Sequence, residues 1–235
     1  MTTLVARDLT VRFAGLAALT EVTFAVRTGE VVGLIGPNGS GKTTLLNAIS
    51  GIVAPVSGSI SLGTTTWRVI EAHKAARLGI RRTFQNIRLF EDLTVLETVE
   101  VPAAALGGSG NRRHRALSAL EQVGLASCRD QLAQTLPYDL QRRLEIARML
   151  PGHPLFLLLD EPTAGLNPDE SQGLVEIVLA LRSSYGCGVV MIAHDVRVIM
   201  TACERVVVLN EGHVIAEGDP ESVRNDPAVI KAYLG

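Results

Sequence analysis

Residues 31–43 read Val31-Val32-Gly33-Leu34-Ile35-Gly36-Pro37-Asn38-Gly39-Ser40-Gly41-Lys42-Thr43. The first five are a continuous apolar run, the pattern of a strand buried on both faces. The next eight fit G-x-x-x-x-G-K-[ST]. Glycines let the backbone curl so that successive N–H groups point at phosphate oxygens. A helix predicted over Thr43–Ile49, with Thr44 in its first turn, adds the positive end of its dipole. Lys42 supplies a point charge for the β- and γ-phosphates, and the Thr43 hydroxyl is placed to hold Mg²⁺. The stretch therefore predicts a strand, a phosphate-binding loop and a helix, with ATP or GTP as ligand and Gly36, Pro37, Asn38, Gly39, Ser40, Gly41, Lys42, Thr43 and Thr44 around it.

Outward from this loop the pattern is that of an α/β protein. Leu4–Phe13 and Val22–Val26 read as short strands, the N-terminal antiparallel β part. Beyond residue 150, Leu155–Asp160 and Gly188–Ala193 are apolar runs like Val31–Ile35, alternating with helical Pro168–Ser183 and Val196–Cys203. Val206–Leu209 and His213–Ala216, joined by Glu211-Gly212, read as a closing hairpin. The alternation implies a mostly parallel sheet. Residues 94–150 are instead helical, with a flexible Gly107–Asn111 loop, and are predicted to be an inserted α-helical subdomain. The expected organisation is one domain over 1–235, its core formed by 1–93 and 151–235. Arg112-Arg113-His114-Arg115 is read as the solvated start of a helix.

Composition narrows the function. The chain has 235 residues with 22 Lys and Arg against 24 Asp and Glu. A pI near 6.2 argues against an electrostatic nucleic-acid binder. The mean hydropathy of +0.26 is high, but the apolar runs are five residues long, far short of the roughly 20 needed to span a bilayer. Met1–Thr10 carries no basic-then-apolar leader. Cys128, Cys187 and Cys203 are odd in number and far apart, and read as small buried hydrophobes. A soluble intracellular chain is expected.

Two acids, Asp160 and Glu161, directly follow the buried run 155–159. Ligands of open α/β sheets bind outside the carboxyl ends of the strands. Asp160 is thus expected to reach the Mg²⁺, and Glu161 to polarise an attacking water. His194 ends the next buried strand and reads as a donor to a γ-phosphate. Gln85 follows a probable strand Gly79–Phe84 and is similarly placed for water or metal.

Taken together, these residues resemble the nucleotide-binding subunit of an ABC transporter, over nearly the whole chain. The resemblance implies a P-loop NTPase core in which Gly36–Thr43 is Walker A and Leu155–Asp160 Walker B. It makes Glu161 the catalytic base, Gln85 the Q-loop glutamine and His194 the switch histidine. Phe13 matches the aromatic that stacks on adenine, and Thr163–Asn167 the D-loop. Arg82–Phe90, Leu93–Glu97 and the tail Ile215–Pro220 through Tyr233 are similar to the branched-chain amino acid importer ATPases. The implied activity is ATP hydrolysis coupled to import, with ATP and Mg²⁺ bound. The implied partners are a second ATPase subunit (homo- or heterodimer), membrane permease chains docked at Gln85–Leu93, and indirectly an external solute-binding protein. The implied location is peripheral, at the cytoplasmic face of the membrane.

One motif departs from the family. Its signature, usually Leu-Ser-Gly-Gly-Gln or Leu-Ser-Tyr-Gly-Gln, is here Leu136-Pro137-Tyr138-Asp139-Leu140. Pro137 has neither hydroxyl nor N–H, and Asp139 brings negative charge towards a polyanion. A lost hydrogen bond to a charged group is worth roughly 1.5–3 kcal/mol, or about 10–100-fold. A weakened composite site is expected, or a regulatory ATP-binding partner in a heterodimer. An ABC-type ATPase of DNA repair or translation would want a fused second cassette or long insertion. A GTPase would want Asn-Lys-x-Asp, which the sequence lacks.

Overall fold

The layering follows from side-chain alternation. In the computed structural model, which describes residues 1–235 except 86, 88, 91, 107–110, 194 and 235, Val31 and Ile35 belong to one apolar cluster and Val32 and Leu34 to another. The same split parts Leu157 and Leu159 from Phe156 and Leu158. It also parts Val189 and Met191 from Val190 and Ile192, and Val206 and Val208 from Val207 and Leu209. Successive strand side chains point to opposite faces, so a sheet covered on both faces needs apolar residues at every position.

The chain begins with β1 (Thr3–Phe13), β2 (Leu16–Arg27) and β3 (Val31–Ile35), followed by α1 (Lys42–Ile49). Next come β4 (Ser57–Leu62), β5 (Thr65–Trp67), α2 (Ala72–Arg77) and β6 (Ile80–Arg82). A helical stretch holds α3 (Val95–Ala105), α4 (Arg112–Gln122) and α5 (Tyr138–Ala147). Alternation then resumes with β7 (Phe156–Asp160), α6 (Pro168–Tyr185), β8 (Gly188–Ile192), α7 (Val196–Ala202), β9 (Arg205–Asn210) and β10 (His213–Gly218), before the short α8 (Pro220–Arg224) and α9 (Pro227–Leu234).

Among the described residues, β2-β1-β4-β5 form an antiparallel sheet and β10-β9-β3-β8-β7-β6 a second one, parallel except for β10. Residues of α3, α4, α5 and α6 cover one face of the second sheet. Those of α1 and the antiparallel sheet cover the other. The parallel strands β3, β6, β7 and β8 consequently end at one edge.

The expected elements are present with shifted ends, β2 being longer than Val22–Val26. The sequence reading missed β4, β5, α2, α8 and α9. In β4 only Ile60 is fully buried, and α2 is six residues long, too short for a periodic signal. Arg112 does open α4, and its exposed guanidinium and that of Arg113 lie near the largely covered Glu100. Cys187 and Cys203 are buried, and burial pushes their thiols up to about 11 and about 12. Cys128 is only partly buried, a correction to the expectation that all three are core residues: it packs at the margin of the helical cluster. The predicted loop at 107–110 lies outside the described residues.

The two sheets are tied by one charge network. Arg205 of β9 donates from Nε to Glu30 (2.7 Å), from Nη1 to Glu217 of β10 (2.6 Å) and from Nη2 to the Ala25 carbonyl of β2 (2.7 Å). Burial raises the Glu30 carboxyl, but the bonds from Arg205 and the Arg27 N–H outweigh it and hold the group below its usual value. A depressed carboxylate stabilises the fold above its ordinary pKa of 4.5, and that contribution is lost as pH falls through the folded-state value. Thermal unfolding of Glu30→Gln is therefore expected to depend less on pH than that of the parent chain between pH 6 and 3, while starting from a lower Tm at neutral pH. Parallel curves would contradict this.

Candidate nucleotide-binding and catalytic site

The loop between β3 and α1 has the curled form that its glycines allow. Gly36 has φ +149°, and a Cβ there would lie 2.0 Å from the Leu209 carbonyl oxygen. Gly41 has φ +105°, with Leu19 and the Ala18 carbonyl as close neighbours. Gly41 is also the N-cap of α1, with no side chain capping the helix and no acid in its first turn. The first-turn N–H groups, at the positive end of the helix dipole, thus face outward without a side-chain acceptor. Lys42 folds over this loop, donating from Nζ to the carbonyls of Gly36 and Pro37 (2.8 Å each) and more weakly to Ser40 Oγ (3.4 Å). Burial lowers the Lys42 pKa, and the charges of Glu161 and Asp160 pull partly against it. A cleft of about 360 Å³ opens here, lined by Asn38, Gly39, Gly41, Lys42, Thr43, Thr44, Ala18, Gln85 and Glu161.

Asp160 closes β7 beside this cleft and is 1% exposed. Its backbone N–H donates to Thr83 Oγ1 (3.0 Å), and its Oδ1 accepts from Thr43 Oγ1 (3.3 Å). The other oxygen accepts from Arg82 Nη2 at 2.8 Å, with both side chains nearly inaccessible. Arg82 also donates to Asn47 Oδ1 of α1 (2.6 Å). The carboxylate and hydroxyl are thus brought together as a hard-oxygen pair of the kind that suits Mg²⁺. In the sequence Arg82 stands out only as part of a family resemblance. Its role as counter-ion was not legible, since nothing in the sequence says that β6 lies next to β7.

Glu161 adopts φ +51°, a left-handed conformation that costs a non-glycine residue of order 1–3 kcal/mol. Its N–H donates to the Ile192 carbonyl on β8 (3.0 Å), and its own carbonyl accepts from Ala164 N–H (3.1 Å). The turn swings its carboxylate to the cleft, where it accepts from Gln85 Nε2 (3.4 Å). Gln85 is therefore placed against Glu161, and no hydrogen bond joins it to Asp160 or Thr43 among the described residues. Phe13 is 46% exposed at the end of β1 and is not among the residues lining the cleft. His194 lies outside the described residues.

The altered signature stands at the start of α5. Pro137 is the N-cap, with φ −51° and ψ 152° and no side-chain cap. An extended backbone suits that position, and proline has no N–H to contribute there. Asp139 lies 3.9 Å from Arg143. Tyr138 donates to the Ala164 carbonyl (3.2 Å) and accepts from Arg142 Nη2 (2.7 Å). Arg142 and Glu145, buried and 3.4 Å apart, then hold the neighbouring loop. Arg142 donates to the Gln85 carbonyl (3.3 Å), and Glu145 accepts from Phe84 N–H (3.2 Å). Their i,i+3 spacing was a readable sign of an ion pair, but not of the loop it would grip.

With this geometry in place, the comparisons decide the family. The model of the ABC transporter family matches residues 19–164, and that of the branched-chain amino acid ATP-binding cassette transporters matches 213–235. The chain belongs to the ABC transporter family. It is 41% identical to the high-affinity branched-chain amino acid transport ATP-binding protein BraF of Pseudomonas aeruginosa, over 97% of this chain and 95% of that one. It is also similar to the ADP-bound structure of an ATP-binding cassette from an ABC transporter, with TM-score 0.91 and 28% identity over 100% of this chain and 99% of that one. A dimeric cassette bound to ADP and phosphate matches with TM-score 0.82 and 28% identity, over 92% of this chain and 98% of that one. The resemblance read from the sequence and the P-loop α/β fold are thus both borne out. This ABC cassette is an ATPase subunit that binds ATP, with Mg²⁺ as its usual cofactor, and among the described residues no helix is long and apolar enough to cross a membrane.

Removing one member of the Arg82–Asp160 pair leaves a buried charge uncompensated. Arg82→Met is expected to lower stability by about 3–5 kcal/mol in chemical denaturation, and adding Asp160→Asn is expected to recover a large part of that loss.

Proposed function

We propose that this ABC ATPase powers import of branched-chain or closely related amino acids from the cytoplasmic face of the membrane, as a peripheral subunit. The observation that carries the catalytic half is the common edge at which the β3–α1 loop, Asp160 and Glu161 meet. In this reading the loop N–H groups, Lys42 and the α1 N-terminus hold the ATP phosphates, with Gly36–Thr44 as the binding stretch. Thr43 and Asp160 hold Mg²⁺, with Gln85 adjacent. When bound, the metal neutralises charge on the phosphates. Glu161 takes the proton of the attacking water, Gln85 orients Glu161, and His194 and Phe13 serve the γ-phosphate and the adenine. Residues 94–150 act as a helical subdomain whose α5 faces a second cassette, so that closure of the dimer on ATP moves the permease chains.

The amino-acid cargo rests on the similarity to BraF and on the match of the C-terminal family model. The permease chains dock beside Gln85–Leu93, where Arg148 stacks on the exposed Phe90 at 5.2 Å. An external solute-binding protein delivers the cargo to them.

Two measurements test the reading. Glu161→Gln should cut ATP turnover by about 10²-fold or more while ATP still binds, since a positioned general base contributes 10²–10⁴-fold. Uptake of labelled leucine by cells lacking this chain should fall and be restored by the parent but not by Glu161→Gln. Undiminished uptake would remove the cargo assignment.

The signature with Pro137 and Asp139 makes a weakened composite site. Pro137→Ser with Asp139→Gly is expected to raise turnover in the assembled transporter by about 10-fold or more, the equivalent of one regained charged hydrogen bond. Unchanged turnover would show that the signature is not limiting.

A further inference from the structure

The basic run Arg112-Arg113-His114-Arg115 takes no part in the site, and it has a counterpart across the surface. Arg112, Arg113 and His114 are exposed in the first turn of α4. Arg115 turns back and donates from Nη2 to the Ala103 carbonyl of α3 (2.8 Å). That bond and the pairs with Glu100 hold the start of α4 against the second half of α3. The same half of α3, through Pro102 and Ala105, walls a groove of about 410 Å³ along the β6 edge. Ala72 and Ala76 of α2 line its other side, and Ile52, Leu106 and Met149 keep it mainly apolar. Arg81 lines it too, 7% exposed, with Nε and Nη1 lacking a hydrogen-bond partner among the described residues.

α2 is basic beside that wall. At about 100° per residue, His73 and Arg77 follow Ala72 and Ala76 around the helix, with Lys74 beyond them and the buried Ala75 behind. All three are exposed, as is Arg68 shortly before the helix. Glu71 lies 3.4 Å from both His73 and Lys74, but no ion pair engages Arg68 or Arg77 among the described residues. Segments 68–77 and 100–115 thus carry Arg68, Lys74, Arg77, Arg112, Arg113 and Arg115 against Glu71 and Glu100. That is a net charge of +4 in a chain whose formal total is −2.

Two flanks of long cations, spread on either side of a groove, do not converge on one point. They suit an extended anionic surface better than a single anion. Ile52, Val69 and Val101 stand exposed among them. Cations interleaved with exposed apolar groups have the composition of an interfacial membrane contact. A single-stranded nucleic acid would want aromatic faces for stacking, whereas these exposed groups are aliphatic. Phe84 lines the groove and directly precedes Gln85, so this is the end turned to the membrane in the function proposed above.

We propose that this basic rim contacts anionic lipid headgroups, giving the cassette an affinity for the bilayer apart from its permease contacts. The inference rests on the peripheral-membrane reading and adds the surface and the chemistry of the contact. The remainder of the chain is net negative, so an anionic membrane attracts the rim and repels the other faces, which orients the cassette.

The test sediments the purified full chain with sucrose-loaded vesicles. Binding is expected to mixed phosphatidylglycerol–phosphatidylcholine vesicles but not to pure phosphatidylcholine, and it should fall as salt is raised. Each cation near an anionic surface contributes about fivefold. Combining Arg68→Gln, Arg77→Gln, Arg112→Gln and Arg113→Gln should therefore weaken binding by about 10-fold or more, with Tm and ATP affinity unchanged. If that variant does not fold, each flank is neutralised separately, with a loss of about fivefold or more expected. Neutralising four exposed cations elsewhere, Arg7, Arg129, Arg224 and Lys231, should have far less effect. Equal binding to neutral vesicles, or an equal loss in this second variant, would overturn the proposal. Association with the permease chains in detergent, where no bilayer is present, should survive in the rim variant. Its loss there would assign the rim to the permeases and overturn the lipid contact. A parent chain that binds permeases but no vesicles sinks the lipid inference alone, whereas one that binds neither sinks the peripheral-membrane reading as well.

Discussion

The sheet at the centre of this cassette is buried on both faces, and most of the structure depends on that constraint. Parallel strands covered on both sides leave solvent only at the sheet's ends and edges, so polar chemistry has to collect there. The carboxyl ends of β3, β6, β7 and β8 share one such edge. Lys42, Arg82, Asp160 and Glu161, far apart in sequence, become neighbours because the strands before them are apolar enough to be drawn inside.

Within that edge, electrostatics and backbone geometry give two adjacent acids different surroundings. Asp160 is fixed from both oxygens, by Arg82 and by Thr43, and its burial is supportable only because the guanidinium is equally buried. Glu161 is placed differently, by a strained turn whose N–H bonds to the Ile192 carbonyl of β8. Adjacent carboxylates on one strand end thus acquire different surroundings, one locked into an ion pair and the other turned to the cleft beside Gln85. The Arg142–Glu145 pair extends the connection from the loop after β6 to the start of α5, so the cleft and the signature helix are joined through buried charge.

Arg81 and Arg82 illustrate how neighbours in sequence can face opposite situations. Both are nearly inaccessible arginines on a three-residue edge strand. Arg82 meets a carboxylate across the sheet, whereas Arg81 meets an apolar groove.

The sequence alone determined the parallel core, the glycine-rich loop between β3 and α1 and the positions of Asp160 and Glu161, because each rests on a local pattern: an unbroken apolar run, a glycine spacing, an acid directly after a strand. The family followed from the same residues. Weakly patterned pieces escaped it: β4, whose only fully buried residue is Ile60, and the short α2 on the groove wall. Tertiary structure alone decided the pairing of Arg82 with Asp160, the left-handed turn at Glu161, the N-cap position of Pro137 and the isolation of Arg81. Each of these depends on which strands and helices lie side by side, and contacts between residues tens of positions apart leave no periodicity in the chain that makes them.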